Sequence, residues 1–207
     1  MKVLIINGSP KAHGNSATLI EEMVKTYQEL GVETEVVHVG NQDVRGCIAC
    51  GYCHQHGECV FKDIVNEVAP KFAAADGLVV VSPVYYASPN GTLISFLDRL
   101  FQSANYSKKY KVGAAFAIAR RGGTTASFDV LNKYFTIAGM PVAGGDYWNN
   151  GFGGGEGEVR QDLEGMRNGR IVAKRMVFLM KAIKDAKENY PELLEDEPRV
   201  WTNFIRK

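Results

Sequence analysis

The 207-residue sequence lacks any long hydrophobic run. No window reaches the roughly 18 consecutive apolar residues typical of a membrane helix. The longest apolar runs, residues 78–81 and 112–119, have the length of strands. The start of the chain also lacks the apolar stretch and cleavage site of a secretory signal, because only residues 3–6 are apolar there. We therefore expect a cytoplasmic protein without a membrane partner.

An excess of charge of either sign is also missing. The 24 Lys and Arg residues balance 23 Asp and Glu residues, which leaves a net charge of +1. This balance gives no case for nucleic acid or an anionic membrane as the main partner. A composition of 45% hydrophobic and 23% charged residues excludes global disorder, and the length suits one sizeable domain.

Cysteine is scarce and confined, since all four cysteines lie between Cys47 and Cys59. A disulfide-stapled secreted protein spreads its cysteines along the chain, so this clustering excludes that class. Glycine, with 22 residues, is abundant by contrast. Seven of the glycines fall within residues 144–157, for which we predict a long loop.

Short apolar runs alternate five times with amphipathic stretches. The predicted strands are residues 2–7, 32–39, 77–82, 111–119 and 140–146. The predicted helices are residues 16–30, 63–75, 89–104 (capped by Ser88), 124–138 and 159–189 (interrupted by Gly165 and Gly169). This alternation predicts an α/β three-layer sandwich with a parallel sheet covered on both faces. Five strands suit the flavodoxin-like order 2-1-3-4-5, with strands 2 and 5 at the edges.

The loop after the first strand has the composition of a phosphate site. It holds Ser9, Lys11, Asn15 and Ser16 just before a predicted helix. Hydroxyls, an amide, backbone N–H groups and a helix N-terminus together make an anion cradle. The spacing matches neither GxxxxGK[ST] nor GxGxxG. A capped turn without a ligand is the alternative.

Two further loops suit a flat ring. Residues 82–90 carry two prolines and two tyrosines, and residues 119–124 carry glycines that allow close backbone approach. The candidate ring contacts are Pro83, Val84, Tyr85, Tyr86, Arg121, Gly122 and Gly123. The alternatives are tyrosines packed between helices and a solvated basic turn. Because ligands bind at the carboxyl ends of parallel strands, the three loops together indicate FMN.

The cysteine spacing is Cys47-x2-Cys50-x2-Cys53-x5-Cys59, which places four thiols within 13 residues. A CxxCxxC run is typical of loops that wrap an iron–sulfur cluster, and we predict that these four cysteines hold a 4Fe–4S cluster. Zinc, a redox-active disulfide and an empty segment stay open as alternatives. The nearby histidines, His54 and His56, are expected to be exposed loop residues.

The segments GSPKAHGNS, SPVYYASPNG and ARRGG resemble those of the NAD(P)H-dependent FMN reductases, and the cysteine segment resembles the iron–sulfur flavoproteins. The resemblance covers residues 2 to about 183. It implies an FMN-dependent oxidoreductase in which FMN, rather than a side chain, carries the chemistry. It further implies NAD(P)H or ferredoxin as an electron donor, a small-molecule or protein acceptor, and a homodimer or homotetramer whose site forms at the subunit interface.

The expected organisation is a flavodoxin-like FMN-binding domain in residues 1–189, with a cysteine-cluster insertion at 46–60. Residues 190–207 form a charged tail with Trp201 and Phe204, which we expect to dock on a neighbouring subunit or on its own domain. Three rival functions are an NAD(P)H-dependent FMN or quinone reductase without a cluster, a non-catalytic electron carrier and a zinc-stabilised binding module. Near-neutral charge disfavours the carrier, and the three loops disfavour the module.

Overall fold

A twisted sheet forms the centre of the computed structural model, which describes residues 1–198, 200–202, 204 and 205. Its strands are β1 (Lys2–Asn7), β2 (Glu33–His38), β3 (Gly77–Tyr85), β4 (Ser88–Pro89), β5 (Val112–Ala119) and β6 (Asn150–Phe152). The order is β2-β1-β3-β5-β6, and the two-residue β4 pairs antiparallel with β3. The parallel strands therefore confirm the predicted flavodoxin-like arrangement, with β2 and β6 at the edges.

Helices cover both faces of the sheet. They are α1 (Asn15–Glu29), α2 (Tyr52–His56), α3 (Ile64–Ala74), α4 (Gly91–Ser103), α5 (Thr124–Ile137) and α6 (Leu163–Asn189). Alternation along each strand divides the core: Val3 and Ile5 pack with α1 and α6, whereas Leu4 and Ile6 pack with α3, α4 and α5. This confirms the predicted three layers. None of the described helices is long and apolar enough to cross a bilayer.

The fifth parallel strand differs from the prediction. Within the predicted strand at 140–146, only Val142 bridges to Gly113, and the chain then leaves the sheet before returning as β6 inside the predicted loop at 144–157. The excursion packs on Asn168 of α6, whose buried Oδ1 accepts from the backbone N–H of Asp146 at 3.0 Å. Gly145 allows this contact, because a Cβ there would lie 1.8 Å from the same oxygen. A buried amide on a distant helix leaves no trace in local periodicity.

The start of α4 also differs from the prediction. The helix begins two residues after Pro89, and its cap is Asn90 rather than Ser88. Asn90 Oδ1 accepts from the backbone N–H groups of Thr92, at 2.7 Å, and Leu93, at 3.3 Å. Ser88 and Pro89 instead pair with the end of β3, which removes them from the helix.

The last helix is shorter and more continuous than predicted. It begins after Asp162, whose side chain accepts from the backbone N–H of Gly165, and a separate 3-10 helix covers Glu158–Gln161. Gly165 and Gly169 lie within the helix without interrupting it. Gly169 brings α6 close to α1, since a Cβ there would lie 2.8 Å from Leu19 Cδ1.

The first part of the C-terminal tail contacts the domain of its own chain. After a 3-10 helix at Pro191–Leu194, Lys109 pairs with Asp196, and the Tyr110 hydroxyl donates to the Leu193 carbonyl at 3.3 Å. Trp201 and Phe204 are exposed. The predicted tail also includes residues 199, 203, 206 and 207, which lie outside the described residues. Its place at a subunit interface stays a prediction.

Candidate functional site

The loop after β1 is held by its own short hydrogen bonds. The Ser9 N–H donates to Asn7 Oδ1 at 3.0 Å, and the Lys11 N–H donates to Ser9 Oγ at 3.2 Å. α1 follows directly, and among the described residues no side chain caps its N-terminus. The N–H groups of the first turn are therefore available to an anion. Ser9 and Ser16 are buried there, and Lys11 is exposed.

The end of β2 and the turn after it contact this loop through two residues, His38 and Gly40, that were not predicted as part of the site. His38 Nε2 lies 2.5 Å from the Ser9 carbonyl oxygen, which only accepts, so this nitrogen carries the proton. Gly40 packs directly on the loop backbone, because a Cβ there would lie 2.3 Å from the carbonyl oxygens of Gly8 and Ser9. The loop therefore has little room to shift towards β2.

The second predicted loop is a hairpin. Its two-residue turn is formed by Tyr86 and Ala87, whose φ angles are 50° and 58°. Positive φ at both positions is typical of a type I′ turn and is costly for residues with a Cβ. Ser82 Oγ closes the hairpin by accepting from the Asn90 N–H at 3.0 Å. The alternative of tyrosines packed between helices is wrong, because Tyr86 is fully exposed and Tyr85 is 46% exposed.

The third predicted loop touches this hairpin. Gly123 has a φ of 89°, and a Cβ there would lie 2.8 Å from Ala87 Cα and 3.0 Å from Val84 Cγ1. Arg121 and Gly122 are exposed beside this contact. The two sets of predicted ring contacts are therefore neighbours in space.

A fourth segment, residues 153–159, completes the site and was not predicted as part of it. Asn15 Nδ2 donates to the Gly155 carbonyl at 2.9 Å, and Asn15 Oδ1 accepts from the Val159 N–H at 3.1 Å. Glu158 accepts from the N–H groups of Gly155 and Gly154, and these hydrogen bonds lower the pKa of its carboxyl. The glycines of this segment thus allow a tight turn, and the Glu158 carboxylate that closes the turn stays ionised.

Contacts between the loops make one continuous rim at the carboxyl edge of the sheet. Asn15 joins the first loop to residues 153–159. Gly154 packs on Arg120, where a Cβ would lie 3.2 Å from Arg120 Cγ, and Gly123 packs on the hairpin. The rim carries buried serines and the uncapped start of α1 at one end, and exposed tyrosine and glycine residues at the other. This arrangement suits a ligand with a phosphate and a planar ring.

Asn15 gives a first testable prediction. Replacing Asn15 by alanine removes both hydrogen bonds to residues 153–159, and we expect FMN to bind about 5- to 30-fold more weakly, since the two bonds together contribute about 1–2 kcal/mol. Quenching of flavin fluorescence during titration measures the dissociation constant. Asn189→Ala, at the exposed end of α6, is the matched control and should leave the constant unchanged. Equal affinities for both variants would contradict the bridging role.

The cysteine segment forms a second candidate site. All four cysteines are free thiols; Cys47 and Cys50 are exposed, whereas Cys53 and Cys59 are half-buried. All four line one cavity of about 840 Å³. Within the part of the chain that the structure describes, no three His, Cys, Asp or Glu side chains converge closely enough to hold a metal ion. Four cysteine thiols fit an iron–sulfur cluster in kind and number. These cysteines line the same cavity, although their sulfurs do not converge on one point.

The surroundings of Cys59 set it apart from the more exposed cysteines. Its backbone exchanges hydrogen bonds with the Asn66 side chain, at 2.9 and 2.8 Å, which fixes it to α3. Arg99 Nε and Nη2 each lie 3.2 Å from Cys59 Sγ, and Asp63 pairs with the same guanidinium. Burial opposes the charge on Arg99, but the hydrogen bonds with Asp63 and Cys59 outweigh it and raise the pKa of Arg99.

Comparison with known proteins decides the family. Residues 1–154 match the model of the NADPH-dependent FMN reductase family, and this stretch includes β1 to β6, the predicted ligand loops and the cysteine segment. The chain belongs to the NADPH-dependent FMN reductase family. It is therefore a flavoprotein oxidoreductase, as the sequence predicted, and the rival binding module is wrong.

Two curated relatives match nearly the whole chain. An iron–sulfur flavoprotein of Methanocaldococcus jannaschii is 31% identical over 192 residues, covering 89% of this chain and 100% of the relative. An iron–sulfur flavoprotein of Methanosarcina thermophila is 33% identical over 189 residues, covering 89% and 97%. Among solved structures, RosB with bound 8-demethyl-8-formylriboflavin-5′-phosphate superposes with a TM-score of 0.72 at 17% identity, covering 99% of this chain and 92% of RosB. That likeness shows a shared fold.

Proposed function

We propose that this family member passes electrons between FMN, an iron–sulfur cluster held by Cys47, Cys50, Cys53 and Cys59, and a small-molecule or protein redox partner. FMN, when bound, supplies both two-electron and one-electron chemistry. No side chain is therefore assigned as a catalytic acid or base. The observation that carries the proposal is that all four cysteines line one cavity of a chain whose family binds FMN.

The phosphate end of the proposed FMN site lies at the N-terminus of α1. Ser9, Lys11 and Ser16 are assigned to the phosphate together with the N–H groups of the first helical turn. Asn15 is assigned a supporting role, because both polar atoms of its amide are engaged by residues 153–159. The loop geometry supports this division, since Ser9 Oγ lies close to the start of α1: a Cβ on Gly14, the residue before the helix, would be 3.7 Å from that oxygen.

The ring end lies between the hairpin and the loop before α5. The residues assigned to the isoalloxazine ring are Pro83, Val84, Tyr85, Tyr86, Arg121, Gly122 and Gly123. Most of these residues offer apolar side chains or glycine backbone that a planar ring can contact. The full exposure of Tyr86 supports a second subunit covering this end, as expected for a homodimer or homotetramer.

Anaerobic purification followed by iron, sulfide, zinc and flavin analysis tests the proposal. We expect about one FMN per chain together with iron and sulfide in equal amounts, in line with a 4Fe–4S cluster. Flavin without iron would overturn the cluster and leave a plain FMN or quinone reductase. That second function is favoured by one observation, since the four sulfurs are not gathered into a metal site within the described residues.

Steady-state assays then identify the donor. We propose NAD(P)H or ferredoxin as the source of electrons. Oxidation of NAD(P)H should be followed with and without a quinone acceptor, and reduced ferredoxin should be tested in parallel. Turnover with a quinone would identify a small molecule as the redox partner, whereas exchange with protein partners alone would identify a protein.

A further inference from the structure

Arg99 is a buried charge in an unusual place. It lies midway along α4, its side chain is 1% exposed, and it is the largest of the fully buried side chains among the described residues. A buried guanidinium is costly unless its N–H groups are hydrogen-bonded and its charge is paired. The hydrogen-bond partners of Arg99 therefore indicate the role of this buried charge.

Every hydrogen-bond partner of the Arg99 guanidinium comes from the segment that contains the cysteines or from the residues that flank it on either side. Two bonds go to the Asp63 carboxylate, from Nη1 at 2.7 Å and Nη2 at 3.0 Å. Two go to Cys59 Sγ, from Nε and Nη2 at 3.2 Å each. The carbonyls of Arg45 and Phe61 accept at 3.4 Å. The planar fork thus spans a carboxylate on one edge and a sulfur on the other.

The orientation of this fork is set by regular structure. Arg99 is carried by α4, and Asp63 is the N-cap of α3, where its Oδ1 also accepts from the Val65 N–H at 3.1 Å. A salt bridge to Asp63 alone would balance the charge. The second pair of N–H groups is directed at Cys59, whereas the sulfur of exposed Cys47 accepts from the neighbouring Ala49 N–H at 3.4 Å.

We propose that Arg99 is a positioning residue of the metal centre, which holds the Cys59 sulfur with two N–H groups and raises the reduction potential of a cluster bound there. The inference rests on the proposed function of the four cysteines. Reduction adds negative charge to a cluster and its sulfurs, so hydrogen bonds from a cationic donor favour the reduced form. Arginine suits the task because its fork binds two partners in fixed directions, which lysine does not.

The contact itself is tested in the metal-free chain by NMR of the Arg99 Nε–H group. We expect a slowly exchanging Nε–H signal that shifts and exchanges at least about threefold faster in Cys59→Ala, because a buried hydrogen bond protects its proton. Cys47→Ala is the matched control and should leave the signal in place. An Nε–H signal that does not respond to Cys59→Ala would overturn the contact, whatever metal the protein binds.

The effect on the metal centre is tested by redox titration of the iron-loaded protein, with midpoint potentials followed by electron paramagnetic resonance. Arg99→Lys and the charge-neutral pair Arg99→Gln with Asp63→Asn should both lower the midpoint potential, with the larger shift in the double variant. Arg45→Lys is the matched control for Arg99→Lys, because Arg45 stacks over the Phe61 ring at 4.6 Å and the change keeps its positive charge. It should leave the potential unchanged.

Several outcomes separate the two proposals. Unchanged potentials in both Arg99 variants would overturn the role of Arg99 while leaving the cluster in place. A parent protein without iron would overturn the cluster and the effect on its potential together, and the NMR result would then report on the contact alone. Thermal unfolding and FMN content are measured for each variant, and the double variant keeps the test usable if Arg99→Lys fails to fold.

Discussion

Replacing Gly40 by alanine is expected to weaken FMN binding by about 5- to 150-fold, equivalent to about 1–3 kcal/mol of overpacking strain. The added Cβ would lie 2.3 Å from the carbonyl oxygens of Gly8 and Ser9. Both neighbours are backbone atoms, so neither can rotate away as a side chain does. The loop after β1 or the turn that carries Gly40 therefore has to shift, which disturbs the backbone of Gly8 and Ser9.

The measurement for Gly40→Ala is an FMN titration followed by flavin fluorescence, with circular dichroism to establish folding. Gly91→Ala is the matched control, since Gly91 opens α4 and a Cβ there meets no atom within 4 Å. We expect wild-type affinity for the control. Tight FMN binding by folded Gly40→Ala would show that the loop after β1 does not hold the phosphate.

The order of the parallel strands could be predicted because each element carries its own signal. β1 and β3 are continuous apolar runs, as buried parallel strands require, and β2 mixes polar residues as an edge strand does. The fifth strand could not be predicted in the same way. Its position depends on Asn168, which holds the excursion before β6 from another helix.

The predicted ligand residues lie in three short loops, and the structure places those loops on one edge of the sheet. Sequence patterns are sufficient there, because each loop directly follows an apolar strand. The residues that support these loops could not be predicted in this way. The loop after β1 is contacted by His38 and Gly40, and α1 is contacted by residues 153–159, only because the fold brings these distant segments together. A lone glycine after an edge strand carries no signal for such a contact.

The cysteine spacing predicted a set of metal ligands, but it did not predict that the four cysteines differ in their exposure and hydrogen bonds. Cys59 is anchored to α3 and contacts Arg99, whereas Cys47 and Cys50 are exposed. Arg99 sits among apolar residues of α4, 40 positions from Cys59. Helical periodicity places it towards the core, and only the packing of α4 on the segment after Cys59 gives it a partner.

Replacing Cys50 by serine is expected to remove more than about nine-tenths of the bound iron while leaving FMN bound. Serine is a poorer ligand for iron than a thiolate, and loss of a ligand costs more than the 10- to 100-fold typical of outer-shell changes. Cys50 is exposed and lines a cavity whose lining includes none of the residues assigned to FMN. Iron, sulfide and flavin contents of anaerobically purified protein measure the effect.

The matched control for Cys50→Ser is His54→Ala, a change at an exposed residue of the same segment that bonds Gln102 at 3.0 Å. It should retain both iron and FMN, because we assign the ligands to the cysteines alone. Iron lost from the histidine variant instead would make His54 a ligand. Loss of iron and FMN together from Cys50→Ser would make the segment a structural element of the whole fold, since the two sites lie on different loops and should otherwise fail separately.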